Sequence, residues 1–109
     1  AENYDGYLRW AYNSWTMDPL ADARFRTWPA GDCFVVYPGG RGSVRFSKLV
    51  EGIQDFEKIR ILKEQWRKED DDSKLSQLAE ILKSFSSEKL LEEGSANALT
   101  AARSFLDKQ

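Results

Sequence analysis

Hydrophobic and polar positions change period once along this chain, near residue 43. Before that point, residues 7 to 15 carry bulky groups at both parities. Tyr7, Arg9, Ala11, Asn13 and Trp15 fall on odd positions; Leu8, Trp10, Tyr12 and Ser14 fall on even ones. A run this aromatic, and too short for a helix, predicts a strand covered on both faces. Cys33-Phe34-Val35-Val36-Tyr37 predicts a second strand, stopped by Pro38-Gly39-Gly40-Arg41-Gly42. Residues 16 to 31 connect the two, and within them Asp18-Pro19 can start one helical turn. A connection of that length suits a parallel crossover.

After residue 43 the period becomes helical. Leu49, Ile53, Phe56, Ile59, Leu62 and Trp66 recur at steps of three and four, predicting one long amphipathic helix capped by Ser43 or Ser47. The tract Lys68-Glu69-Asp70-Asp71-Asp72 ends it. Ser73 then caps a helix with Leu75, Leu78, Ile81, Leu82 and Phe85 inward. Ser87 opens a short third helix ended by Gly94, and Ser95 caps a last one carrying Ala98, Leu99, Ala102, Phe105 and Leu106. The expected fold class is therefore α+β, with two strands, adjacent and parallel, backed by four helices. Residues 1–67 form one portion and residues 68–109 a helical tail packing on it. Two strands make no stable sheet alone, so neighbours are expected from elsewhere.

Composition narrows the classes. At 109 residues the chain supports one small domain. Its net charge of -2 gives no basic stripe for nucleic acid, and no apolar run approaches the roughly 20 residues of a membrane span. Cys33 sits between apolar neighbours with no His in the chain to activate it, so an inert buried thiol is expected. The same lack of His sets aside a structural zinc site, and no cofactor is called for. The chain starts at Ala1 and reaches strand-like sequence at once, as an excised piece would.

Ten of the fourteen aromatic residues fall within the first 46 positions. They either wall a binding site for a flat, hydroxyl-rich ligand or fill a core. Four ordered blocks bear on the choice: Tyr7 to Trp15, Asp18-Pro19-Leu20, Thr27-Trp28-Pro29-Ala30-Gly31-Asp32, and Val36-Tyr37-Pro38-Gly39-Gly40. Together with Ser43-Val44-Arg45-Phe46 and Leu49 to Glu57, they resemble the C-terminal end of the glycoside hydrolase family 123 catalytic domain. The resemblance covers roughly residues 6 to 66; the tail after Lys68 matches no motif of it.

The resemblance implies a barrel of strand-helix units whose last two strands and last helix are seen here. It implies removal of β-linked N-acetylgalactosamine from glycans, the sugar's own acetamide attacking the anomeric carbon while a carboxylate orients it. This departs from the two-carboxylate pattern of most glycosidases. The family's catalytic Asp-Glu pair belongs to an earlier strand, and no Asp-Glu dipeptide occurs in this sequence. The chain alone is therefore expected to be inert, with no catalytic residue of its own. A secreted, periplasmic or cell-surface location for the parent fits the resemblance without being fixed by it.

In such a barrel, ligand contacts come from the C-terminal ends of strands. That singles out Asn13 to hydrogen-bond the acetamide or a hydroxyl, and Trp15 and Tyr37 to stack on a sugar face. Trp28 is placed to roof a pocket. Trp10 and Tyr12 are expected in the core, and Asp32 as a turn cap or a partner of Arg24 or Arg26. The glycines at 39, 40 and 42 fit neither phosphate-binding pattern and suit a tight turn. Arg41 and Arg45 are expected to pair acids or cap carbonyls, and Glu51, Asp55 and Glu57 to form ion pairs along the long helix.

The partners implied are a glycan substrate through the parent enzyme and the rest of the barrel. Self-association is the expected response to exposed strand edges. Two other functions stay open: a non-catalytic carbohydrate-binding or protein-interaction module with an aromatic surface, and a structural helical domain with all aromatics in its core.

Overall fold

A computed structural model describes residues 6–24 and 28–109. Among these residues there are four helices, α1 (Val44–Lys68), α2 (Asp72–Lys83), α3 (Ser87–Glu93) and α4 (Ala96–Leu106), preceded by a 3-10 turn at Pro38–Gly40. The chain divides into two compact units, one running through Ile53 and the other from Gln54 to Gln109.

The expected α+β class is overturned: no strand or sheet occurs among the described residues. Where two parallel strands were expected there is one isolated antiparallel bridge, between Asn13 and Phe34. It is held by Ser14 N–H donating to Cys33 O (3.1 Å) and Val35 N–H donating to Tyr12 O (2.9 Å). A two-stranded ribbon lacks the cross-strand neighbours that make β-structure cooperative, so pairing does not propagate beyond this point. Cys33, Phe34 and Val35 are all buried in succession, which a one-sided strand would not allow.

Phe34, with no exposed surface, centres the first unit. Arg45 reaches back from α1, its Nε donating to Phe34 O at 3.1 Å and its guanidinium lying 5.1 Å from the Phe34 ring centroid. Gly31 is required beside it. Its φ is 76°, and a Cβ there would meet Arg45 Nη1 at 2.6 Å. Ser43 caps α1: its hydroxyl accepts from Phe46 N–H at 3.1 Å and donates to Val35 O.

In the second unit, Trp66, Leu78 and Leu106 are fully buried, with Ile59, Leu62, Leu75, Leu82 and Phe105 packed on them. Trp66 and Phe105 meet edge to face at 6.1 Å, an arrangement the ring quadrupoles favour. Arg103–Asp55 (2.7 Å) and Lys58–Asp107 (3.1 Å) tie α4 to α1. The α2 cap lies two residues before the expected one. Asp71 rather than Ser73 accepts from Lys74 N–H (3.0 Å), whereas α3 opens at Ser87 as expected, with Ser86 before it accepting from Lys89 N–H (3.4 Å). Ser95 occupies the α4 cap position without a side-chain cap bond.

The apolar stripe of α1 is buried only in its second half. Ile53 and Phe56 are each 53% exposed, whereas Trp66 is buried. At 3.6 residues per turn, positions 59, 62 and 66 lie rotated roughly 110° from positions 49, 53 and 56, so the steps trace two faces, not one. Gly52 sits within α1 with open space at its Cβ position and a φ outside the left-handed region. Gly52→Ala is expected to raise the unfolding free energy of the chain by about 0.5–1 kcal/mol, read from urea denaturation followed by circular dichroism. No gain would mean that this glycine has a packing role.

Candidate functional site

The bridge at Asn13 and Phe34 positions a cleft within the first unit. Residues 12–15 are drawn against residues 33–36, and the chain then reverses through the 3-10 turn, with Tyr37 N–H donating to Arg41 O at 2.8 Å. Gly39 and Gly40 both have φ of 72°, so this reversal depends on glycine. The expectation of a tight turn holds at these two positions.

The resulting open cleft is about 300 Å³, lined by Tyr12, Asn13, Trp15, Val36, Tyr37, Gly40, Gly42 and Phe46. Trp15 Nε1–H donates to Val36 O at 2.7 Å, which fixes the indole and uses its only donor. Trp15 is still 39% exposed, so it meets a ligand through its ring. Tyr37 packs edge to face on Phe34 at 5.2 Å, with the Arg45 guanidinium 5.9 Å from its ring. Tyr12 meets Phe46 edge to face at 6.4 Å.

The Asn13 side-chain amide, which can donate two hydrogen bonds and accept others, makes no hydrogen bond with the described residues. No Asp, Glu, Lys or Arg lines the cleft. Rigid aromatic faces, one open amide and no charge suit an uncharged ligand with flat and hydroxyl-bearing parts.

Three of the four sequence-predicted ligand residues, Asn13, Trp15 and Tyr37, thus come together. Trp28 is 49% exposed and does not line the cleft. Tyr12 and Trp10 were expected in the core and are instead 55% and 72% exposed, because no sheet covers that side of the segment. Tyr12, Phe46 and Gly42 are lining residues that strand-end reasoning did not select. Phe46 lies at the start of α1, one turn beyond the Ser43 cap, a position only the reversal at 37–41 brings near the first segment.

Acidic groups are engaged elsewhere. Asp32 pairs with Arg9, which also donates to the Asp32 carbonyl. This replaces the expected Arg24; Arg26 lies outside the described residues. Arg24 pairs with Asp22 (3.0 Å), and its hydrogen bond holds the Asp22 carboxyl below the ordinary carboxylate value. Nη2 of Arg45 is buried without a hydrogen-bond acceptor, its charge facing the Phe34 and Tyr37 rings. Among the described residues no three His, Cys, Asp or Glu side chains are grouped to hold a metal ion, and no helix is long and apolar enough to cross a membrane.

The sequence profile of the family described as Glycoside hydrolase 123, catalytic domain, matches residues 1–62 of the 109. No curated protein matches the chain. The match contains all eight lining residues of the cleft.

Trp15→Phe keeps an aromatic face but removes the Nε1–H bond to Val36 O. It is expected to cost about 1 kcal/mol of stability and to speed amide exchange at Ser14 and Val35. Unchanged exchange at both amides would show that the indole bond does not hold the segment in place.

Proposed function

The chain belongs to the glycoside hydrolase 123 catalytic domain family, and from that premise we propose that it is a non-catalytic wall segment of such an enzyme. In this reading it holds a β-linked N-acetylhexosamine, N-acetylgalactosamine in particular, for chemistry performed by residues of the rest of the domain. The observation that carries the proposal is the uncharged aromatic cleft with the open Asn13 amide. Amide and acetamide can exchange complementary N–H and C=O hydrogen bonds, and a pyranose presents an apolar C–H face to a tryptophan or tyrosine ring.

Hydrolysis in the substrate-assisted manner needs a carboxylate to orient the acetamide and an acid to protonate the departing oxygen. The chain has no Asp-Glu dipeptide, and its cleft holds neither group. Its contribution is binding and orientation, and the segment alone turns over no substrate. Tyr7, Leu8, Trp10, Met17 and Leu20 are largely exposed. A soluble domain ordinarily covers a cluster of this kind, and the proposal assigns its cover to the preceding strands of the barrel. A freestanding carbohydrate-binding module is the second reading, favoured by the rigid, accessible Trp15 ring; it predicts binding with no catalytic partner at all.

Addition of methyl β-N-acetylgalactosaminide to the chain is expected to shift the NMR signals of the Trp15 indole and the Asn13 amide. The chain is expected to release no nitrophenol from the chromogenic β-N-acetylgalactosaminide, whereas a protein carrying the complete domain does. Turnover by the chain alone would overturn the division of labour. Absence of any sugar-dependent shift would overturn the binding role. In the complete enzyme, Trp15→Ala should lower kcat/KM by about tenfold to a hundredfold, as loss of a stacking face worth 1–3 kcal/mol would.

A further inference from the structure

Gly42 differs in kind from the neighbouring glycines. Gly39 and Gly40 occupy the left-handed region, so the turn demands them, whereas Gly42 lies outside it. A Cβ built at Gly42 meets no atom within 4 Å beyond its chain neighbours. Neither backbone conformation nor protein packing therefore calls for glycine at this position. Yet Gly42 lines the cleft, beside Tyr37 and Phe46.

Resting on the glycan reading above, we propose that Gly42 is a specificity-determining residue whose missing side chain leaves the space that the sugar occupies. The volume supports this. At about 300 Å³ the cleft lies at the small end of ligand sites, so one added side chain removes a substantial part of it. The walls cannot readily yield in compensation. Trp15 is pinned through Nε1 to Val36 O, Tyr37 is set against Phe34, and Phe46 is set against Tyr12. A side chain at position 42 would take its room from the ligand. The ligand class that follows is a single uncharged pyranose with its acetamide arm, not an extended glycan chain lying across the site.

The test titrates methyl β-N-acetylgalactosaminide into the full chain and into its Gly42→Ala, Gly42→Leu and Gly52→Ala variants, reading affinity from the Trp15 indole signal and stability from thermal melting. Gly42→Leu is expected to bind about tenfold or more weakly, and Gly42→Ala to fall between it and the original chain. Gly52→Ala, outside the cleft, is expected to bind unchanged. Both Gly42 variants should melt at or above the original temperature, since restricting a glycine lowers the entropy of the unfolded chain.

Affinity falling while stability holds is the signature of a space kept for ligand. Gly42→Leu binding as tightly as the original chain would overturn the inference and leave the glycan reading intact. No sugar response in the original chain would overturn both. Should Gly42→Leu fail to fold, Gly42→Ala decides the matter: lowered melting in that variant makes Gly42 a structural glycine and overturns the inference.

Discussion

The geometry of the first unit depends on one antiparallel contact, the bridge between Asn13 and Phe34. Two backbone hydrogen bonds cross it, and Phe34 is sealed beneath it. A pair of hydrogen bonds contributes little net stability in water, about 0.5–1.5 kcal/mol each. Burial of a phenylalanine, near 1.5–3 kcal/mol by area, is what makes the contact persist. Arg45 and Gly31 close the arrangement from the other side, the guanidinium standing over the ring and holding the Phe34 carbonyl. Once 12–15 is fixed against 33–36, the Trp15 indole reaches Val36 O and the turn at 37–41 brings Phe46 into the same wall. The cleft is a consequence of the bridge.

That origin explains its chemical character. Two of the cations near the cleft hold segments together, Arg9 through Asp32 and Arg45 through the Phe34 carbonyl and the rings, while Arg24 pairs locally with Asp22. What remains facing the cleft is aromatic surface, bare backbone and one amide. A site of this composition suits the selection and orientation of an uncharged ligand. The proposal accordingly gives binding to this cleft and bond cleavage to other parts of the domain.

The helices were legible in the sequence because helical periodicity, caps and breakers agree locally. The Gly94 stop, the acidic break after Lys68 and the inward set Leu78, Ala102 and Leu106 all appear where local rules place them. Cap identity slipped by two residues at α2 because the run Asp70-Asp71-Asp72-Ser73 offers several competent acceptors. The strands were misread for a different reason. Strand character in 7–15 and 33–37 is a statement about side chains that fit a pleated, covered surface, whereas a sheet is made by partners far away in sequence. Local residues cannot supply them. Asn13, Trp15 and Tyr37 still converge, since one bridge suffices to bring those segment ends together. Tyr12, Phe46 and Gly42 were not legible, as their approach depends on the chain reversal and not on any period.

The exposed Ile53 and Phe56 of α1 and the exposed Tyr7, Leu8 and Trp10 point to the same cause as the isolated bridge between Asn13 and Phe34. Ile53 and Phe56 keep a helical apolar spacing with the half-buried Leu49, and Tyr7, Leu8 and Trp10 keep strand-like composition, although apart from Leu49 these residues are exposed. An apolar pattern that is regular but uncovered encodes contact with something beyond the residues that carry it, because exposed positions gain nothing from such regularity. In the proposal made above, that cover is supplied by the rest of the catalytic domain. Its strands would extend the ladder that stops at Asn13 and Phe34, and its helices would meet the bare face of α1. The second unit, from Gln54 to Gln109, has a core of its own. Trp66 of α1, Leu78 of α2 and Leu106 of α4 are buried together there, so pattern and burial agree at these positions.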